Sequence, residues 1–294
     1  IRRPYPSIAA GASCRWRGWN ISTRTAALAY VWWPTCSVSV IEFLNPLVYR
    51  RGMVSQGAKD LFTQAKEFYT EGEDRSKDAK AFGIFAEASK AGCIKAEYYM
   101  GRMLDKGYGV DQDYEKAYSH YSVAADHGNP DAIFSIGVLY YYGHFVEQSY
   151  DKAFGYFMKA ADLGNPKAVY NLGVMYDSGI GVEQDAQKAL EYYTRASDMG
   201  SEKAEYNIGM MYRSGKGVPK DDAEALKWFK KAAGRGMLKA MFNVGLSYHA
   251  GKGVPQDEFE AMRWFKKAAD MGHKKSQNMV DMLQKKFNVI TTIS

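Results

Sequence analysis

Apolar residues recur along most of the chain at the spacing of short amphipathic helices. Ala189, Tyr193 and Ala196 are separated by steps of four and three, which is the stripe of a helix that buries one face. The same stripe returns 36 residues later, around Trp228 and Phe229. A fixed period of this length predicts stacked structural repeats, because no single unit can bury its apolar face alone.

Small residues mark the limits of the repeats. One glycine series has a spacing of 36 residues and consists of Gly92, Gly128, Gly164, Gly200, Gly236 and Gly272. It delimits five complete units, at 93–128, 129–164, 165–200, 201–236 and 237–272. A partial unit at 57–92 keeps the stripe but lacks the loop glycines, as a terminal cap would. We therefore predict a capping repeat in 53–92, five complete repeats in 93–272, and a capping helix with a tail in 273–294.

Each unit carries the start signals of two helices. In the unit 165–200, Asn165 can cap the first helix and Pro166 occupies the first helical position, where no N–H is needed. Asp185 is placed to cap the second helix. The pattern predicts an all-α fold, a right-handed α-solenoid built from 36-residue helix-loop-helix repeats.

Glycines inside the unit indicate a turn and a close helix contact. Gly179 follows the first helix, where a positive φ is easiest for glycine. Gly173 lies within that helix, where glycine costs about 1 kcal/mol of helix stability relative to alanine. We therefore expect that a second helix approaches Gly173 too closely for a side chain to fit.

The loop RSGKGVPKDD at 213–222 resembles a phosphate-binding loop, but Lys216 is followed by glycine instead of Ser or Thr. We interpret it as a turn.

The stretch AVYNLGVMYDSGIGVEQDAQKALEYYTRASDMG at 168–200 is similar to the Sel-one-like repeat family, a longer relative of the tetratricopeptide repeat. The resemblance is strong over 93–272 and weaker over 57–92 and 273–287. It implies an α-solenoid that acts as an adaptor for protein or peptide partners. A bacterial branch of the family pairs cysteines within each repeat, and the single Cys93 of the array argues against that branch.

Charge and composition separate the first 52 residues from the rest. The net charge is +6, and residues 1–52 hold seven arginines against one acidic residue, so the remaining 32 basic and 32 acidic residues cancel. Nucleic-acid binding is therefore not predicted.

The first 52 residues also contain an apolar run, which Pro34 and Glu42 interrupt. This interruption argues against a membrane span. The segment is disordered, a targeting sequence, or foreign to the natural protein. If translation starts at Met53, a cytoplasmic location is expected.

No pattern of metal ligands or catalytic residues stands out. The five histidines show no ligand spacing with the cysteines. His120 occupies the register of Tyr156 and Tyr192, so we interpret it as a substitute in ring packing. Carboxylates and serines fall mainly at helix caps and at solvent-facing positions. We predict no cofactor, no metal site and no enzymatic activity.

The unit 129–164 departs most from the repeat. Tyr141 and Tyr142 stand where the next unit has Asp and Ser, and Phe145 replaces the second loop glycine. These three side chains are candidates for an exposed aromatic anchor, the residue type that dominates binding hot spots. The alternative is that they fill a gap between neighbouring units.

A column of amides on the first helices is the second candidate. It consists of Asn171, Asn207 and Asn243, with Ser135 in the same register. An amide can both donate to and accept from an extended peptide, or it can tie adjacent units together. We predict an interaction scaffold that binds partners along its first-helix face. The alternative is a regulatory subunit that activates a membrane or cell-wall enzyme, and the oligomeric state is left open.

Overall fold

The computed structural model describes residues 55–293, so the segment 1–52 and its three interpretations lie outside the described residues. The described part folds into thirteen helices and contains no strand. The helices are α1 (Gln56–Phe68), α2 (Arg75–Lys90), α3 (Ile94–Lys106), α4 (Tyr114–Asp126), α5 (Pro130–Tyr142), α6 (Tyr150–Asp162), α7 (Pro166–Ser178), α8 (Ala186–Asp198), α9 (Glu202–Ser214), α10 (Asp222–Gly234), α11 (Leu238–Ala250), α12 (Glu258–Asp270) and α13 (Lys274–Ile293).

The helices stack in chain order. Each helix packs chiefly against the helices that precede and follow it, which is the contact pattern of a solenoid. Helices α3 to α12 form the five complete repeats, α1 and α2 precede them, and α13 follows. The predicted all-α repeat fold is confirmed. Within the described residues, no helix is both long enough and apolar enough to cross a bilayer.

Within each repeat, a ring of the second helix lies directly on a glycine of the first. A Cβ atom on Gly173 would stand 2.7 Å from Cδ1 of Tyr193, which is almost fully buried. The same contact recurs between Gly101 and Tyr121, Gly137 and Phe157, Gly209 and Phe229, and Gly245 and Phe265. The ring packs against the backbone at glycine, and this contact offsets the helix stability that is lost when glycine replaces alanine.

The loop glycines are turn residues. Gly179 ends α7 at φ 71°, and its N–H donates to the carbonyl of Met175. The second loop glycine, Gly181, has φ 70° and lies against the start of α6, where a Cβ would stand 2.6 Å from the Cβ of Tyr150. Each loop therefore rests on the second helix of the preceding repeat. The stretch 213–222 has the same left-handed glycines, and its residues 215–221 form the turn between α9 and α10, as the sequence predicts.

Candidate functional site

Two cavities open side by side on the first-helix face, where α5, α7 and α9 follow one another. Their volumes are about 410 Å³ and about 340 Å³, and they share the walls Phe134, Tyr170 and Asn171. We call the two together the first-helix groove. The smaller cavity is completed by Val138, Tyr141, Tyr142, Phe157, Val174 and Met175. The larger one is completed by Pro166, Lys167, Met199, Gly200, Ser201, Glu202 and Lys203.

Two asparagines of the predicted column join adjacent repeats. The amide Nδ2 of Asn207 donates to the hydroxyl of Tyr170 at 3.4 Å, and that of Asn243 donates to the hydroxyl of Tyr206 at 3.2 Å. The Oδ1 of Asn243 also accepts from Arg213 at 2.7 Å. Both amides are therefore engaged within the fold. This geometry corresponds to the structural alternative for the column.

Asn171 lacks this bond because of one residue in the preceding repeat. In each bonded pair the tyrosine lies 37 residues before the asparagine. The position 37 residues before Asn171 is Phe134, whose ring has no hydroxyl. The half-buried Asn171 side chain forms no hydrogen bond with any other described residue. Its two N–H donors and its carbonyl acceptor are open to a ligand in the groove.

Tyr141 replaces an aspartate because the ring that it faces is a phenylalanine. In the first complete repeat, the hydroxyl of Tyr121 donates to Asp105 at 3.3 Å. In the next repeat the equivalent ring is Phe157, which needs no acceptor. Tyr141 takes the aspartate's register, and its ring centroid lies 6.5 Å from that of Phe157. Tyr141 thus fills space between two helices and also forms a wall of the groove.

Tyr142 is exposed and yet oriented by neighbouring rings. Its side chain is 61% exposed. Its ring centroid lies 5.0 Å from that of Tyr141 and 5.7 Å from that of His144. His144 in turn stacks on Tyr114 at 4.4 Å with an interplanar angle of 7°. A large ring held in place at the mouth of a cavity loses little side-chain entropy on binding, which suits an anchor.

Phe145 adopts a backbone conformation that the other complete repeats reserve for glycine. Its φ is 65°, and a non-glycine residue in the left-handed region costs on the order of 1–3 kcal/mol. The equivalent residues are Gly109, Gly181, Gly217 and Gly253. The ring is 52% exposed, and its centroid lies 5.7 Å from that of Tyr118. Phe145 lies on the loop beside the groove and is not among its walls.

Tyr141 and Tyr170 of the groove remain protonated at neutral pH. Burial raises the pKa of Tyr141 and of Tyr170 above the ordinary value for a phenol. Nearby, a hydrogen bond with Tyr118 raises the pKa of Tyr140 to about 12. These hydroxyls therefore act as neutral donors and acceptors.

His120 has a different role from the one that its register indicates. Its Nδ1 lies 2.7 Å from Oε2 of Glu97, so it is a hydrogen-bond partner of a carboxylate on the first helix. Pairing with His120 holds the pKa of Glu97 below its usual range. Among the described residues, no three His, Cys, Asp or Glu side chains come together as metal ligands would.

The structure thus brings three of the six candidate residues to one cavity: Tyr141, Tyr142 and Asn171. Asn207 and Asn243 continue the column but are bonded within the fold, and Phe145 lies on the adjacent loop. The sequence reasoning did not identify Phe134 or Tyr170. A signal was present, because Phe134 stands in a register that holds Tyr98, Tyr170 and Tyr206 and changes to phenylalanine again only at Phe242.

Solved structures with the same architecture include two that share 30% sequence identity with the chain. One is a protective antigen present in uropathogenic Escherichia coli strains and displaying an SLR fold, with a TM-score of 0.67 over 76% of this chain and 48% of that one. The other is a Sel1 repeat protein from Oxalobacter formigenes, with a TM-score of 0.67 over 73% of this chain and 86% of that one. An immunity protein from Pseudomonas aeruginosa shares the fold at 21% identity, with a TM-score of 0.52 over 74% of this chain and 83% of that one. The curated proteins contain no match to the chain.

Five consecutive segments of the chain match the Sel1 repeat, and together they make up more than half of its length. The segments are 94–129, 130–165, 166–201, 202–237 and 238–273. Sel1 repeats generally serve as protein–protein interaction scaffolds, and proteins built from them are typically not enzymes. With five matched repeats and a shared solenoid architecture, the chain belongs to the Sel1 repeat family.

Proposed function

We propose that the chain is an interaction scaffold that binds an extended segment of a protein partner in the first-helix groove. The observation that carries the proposal is the open amide of Asn171, which lies in the same cavity as the exposed ring of Tyr142. An extended peptide has unpaired main-chain N–H and C=O groups, and an amide can satisfy one of each. The ring offers an apolar contact to a side chain of the same peptide.

Three further features support the groove as the binding surface. The two cavities, about 340 and 410 Å³, fall within the usual size of ligand pockets, about 300–1,000 Å³. Their walls combine rings with a few polar groups, the composition typical of such pockets. The strained backbone at Phe145 stands beside them, and strain of this kind clusters at functional sites.

The regulatory-subunit alternative would use the same surface. A subunit that activates a membrane or cell-wall enzyme also has to bind a protein, so the groove is compatible with both functions. The identity of the bound partner separates them, because a scaffold holds several proteins together whereas a regulatory subunit changes the activity of one enzyme.

The test compares the full chain with the double variant Tyr142→Ala and Asn171→Ala in affinity capture from source cells, followed by titration of each captured partner. We expect the double variant to lose the partner while keeping its helicity and melting temperature. Phe259→Ala is the matched control, since that ring is 73% exposed and lies outside the groove. Equal affinity of the parent and the double variant for every captured protein would overturn the proposal.

A further inference from the structure

A lysine recurs at one register on the first helices of the later repeats. The residues are Lys167, Lys203, Lys239 and Lys275, spaced by 36 residues. We call them the lysine row. All four are exposed, and none forms an ion pair with another described residue. By contrast, lysines on the second helices such as Lys188 and Lys227 pair with a carboxylate of their own helix start.

The lysine row begins at the first-helix groove. Lys167 and Lys203 are walls of the larger cavity, together with Asn171 and Phe134. In the repeat before Lys167 the register holds Asp131, which accepts a hydrogen bond from Nδ2 of Asn165 at 2.9 Å. Lys95 holds the register in the first complete repeat, but Asp131 separates it from the others, so the uninterrupted row starts at the repeat that carries the open amide.

Each lysine stands where its own helix disfavours a cation. Lys167, Lys203 and Lys239 are the second residues of α7, α9 and α11. The positive end of the helix dipole lies there, and acidic residues are the ones that it stabilises. The four ammonium groups have no carboxylate partner among the described residues, although Glu202 shares the first turn of α9 with Lys203. A carboxylate of a ligand would interact favourably with both the lysine and the helix start.

The acidic residues nearest in sequence to the row do little to cancel its charge. Glu205, one turn beyond Glu202, is fully buried and is held by Lys231 at 3.4 Å and by Arg235 at 3.0 Å. Glu202 is the only carboxylate that lines the larger cavity, whereas two lysines line it.

The far end of the row affects a histidine. Burial and then the charges of Lys275 and Lys239 hold the pKa of His273 below its ordinary value. Lys239 and Lys275 therefore make the field positive at that end of the row.

We infer that the partner segment bound in the first-helix groove is an extended acidic peptide, whose Asp or Glu side chains lie along the lysine row. The inference rests on the proposed function and names the chemistry of its ligand. A nucleic acid would be a different occupant for a row of cations, but the groove provides a single lysine per repeat between rings and amides. Residues 53–294 as a whole are electrically neutral, whereas nucleic-acid binding domains are strongly basic.

The test selects ligands for the full chain from a display library of short random peptides. Affinities of the enriched peptides are then measured by fluorescence anisotropy at low and high salt. We expect enriched peptides to be acidic and to bind about tenfold more weakly when their Asp and Glu are replaced by Asn and Gln. The variant Lys167→Gln, Lys203→Gln, Lys239→Gln should lose affinity by about the same factor and show less salt dependence.

A control variant carries the same change of charge outside the groove. Lys90, Lys159 and Lys266 lie on second helices, are exposed and form no ion pair with a described residue. Their replacement by glutamine should leave both the affinity and the salt dependence at the parent values. An equal loss in the control and in the lysine-row variant would overturn the inference, since net charge alone would then explain the binding.

Other outcomes separate this inference from the proposed function. Enriched peptides that are neutral or basic, but still require Tyr142 and Asn171, would overturn the acidic ligand and leave the groove as the binding site. Peptides whose binding is indifferent to both residues would overturn the groove as well. A single-stranded oligonucleotide that binds the lysine row more tightly than any enriched peptide would also refute the inference.

Discussion

Phe134 and Asn171 line the same two cavities without a hydrogen bond between them, whereas the equivalent pair, Tyr170 and Asn207, is joined at 3.4 Å. One missing hydroxyl thus converts a bond between repeats into an open amide. The groove and its polar group have the same origin, because a phenylalanine stands where the next two repeats have the tyrosine of this contact.

Phe134→Tyr should restore the missing bond. The new hydroxyl would accept from the Asn171 amide, and a hydrogen bond of this kind contributes about 0.5–1.5 kcal/mol to the free energy of unfolding. Peptide affinity should fall, because the amide is then occupied. Urea denaturation and anisotropy titration measure the two effects. In a double-mutant cycle, Asn171→Ala should remove most of the gain; a gain that survives Asn171→Ala would show that the hydroxyl acts through another contact.

Gly173→Ala should destabilise the protein although alanine is the better helix former. The added Cβ would stand 2.7 Å from the ring of Tyr193, and overpacking of a core typically costs about 1–3 kcal/mol. Gly155→Ala is the control, because that glycine lies within α6 and has open space where its Cβ would be. Gly155→Ala should stabilise by about 0.5–1 kcal/mol. Thermal denaturation of both variants measures these changes in stability. A Gly173→Ala variant that is more stable than the parent would mean that the ring of Tyr193 can move away from the added methyl group.

Phe145→Gly should raise stability and lower partner affinity. Glycine relieves a left-handed backbone that costs a bulky residue on the order of 1–3 kcal/mol, and the half-exposed ring gives up little buried area. Chemical denaturation measures the change in stability, and titration with the captured partner measures the change in affinity. A loss of stability instead would favour the gap-filling interpretation, in which contact with Tyr118 outweighs the strain.

Stability should fall in acid through Glu97. Its pKa in the folded protein is held below the ordinary 4.5, chiefly by the bond with His120. The resulting stabilisation is present above 4.5 and is lost as the pH falls through the folded pKa. Glu97→Gln should therefore have a flatter stability profile than the parent as the pH falls below 4.5. Parallel urea titrations at several pH values measure this difference, and identical profiles would contradict it.

The repeat and its turns could be predicted from the sequence because each depends on residues that recur at a fixed spacing. Gly173 is an example: its position inside a helix indicated a close contact, although the contact proved to be with the ring of Tyr193. The register of Phe134 differs visibly from that of Tyr170, but the open amide of Asn171 does not follow from it, because the sequence does not show which residue of the preceding repeat faces the amide. His120 was misread for a similar reason, since its partner Glu97 lies on another helix.

The open amide is a property of the junction between two repeats, since one contributes the asparagine and the other the phenylalanine. Neither repeat would therefore carry the groove into a new array by itself, whereas the block 129–236, which includes the walls Ser201, Glu202 and Lys203, would transplant it whole. A repeat inserted at 164–165 would abolish it while leaving every residue of the site in the chain. In such an array, the order of the units encodes recognition as much as their composition does.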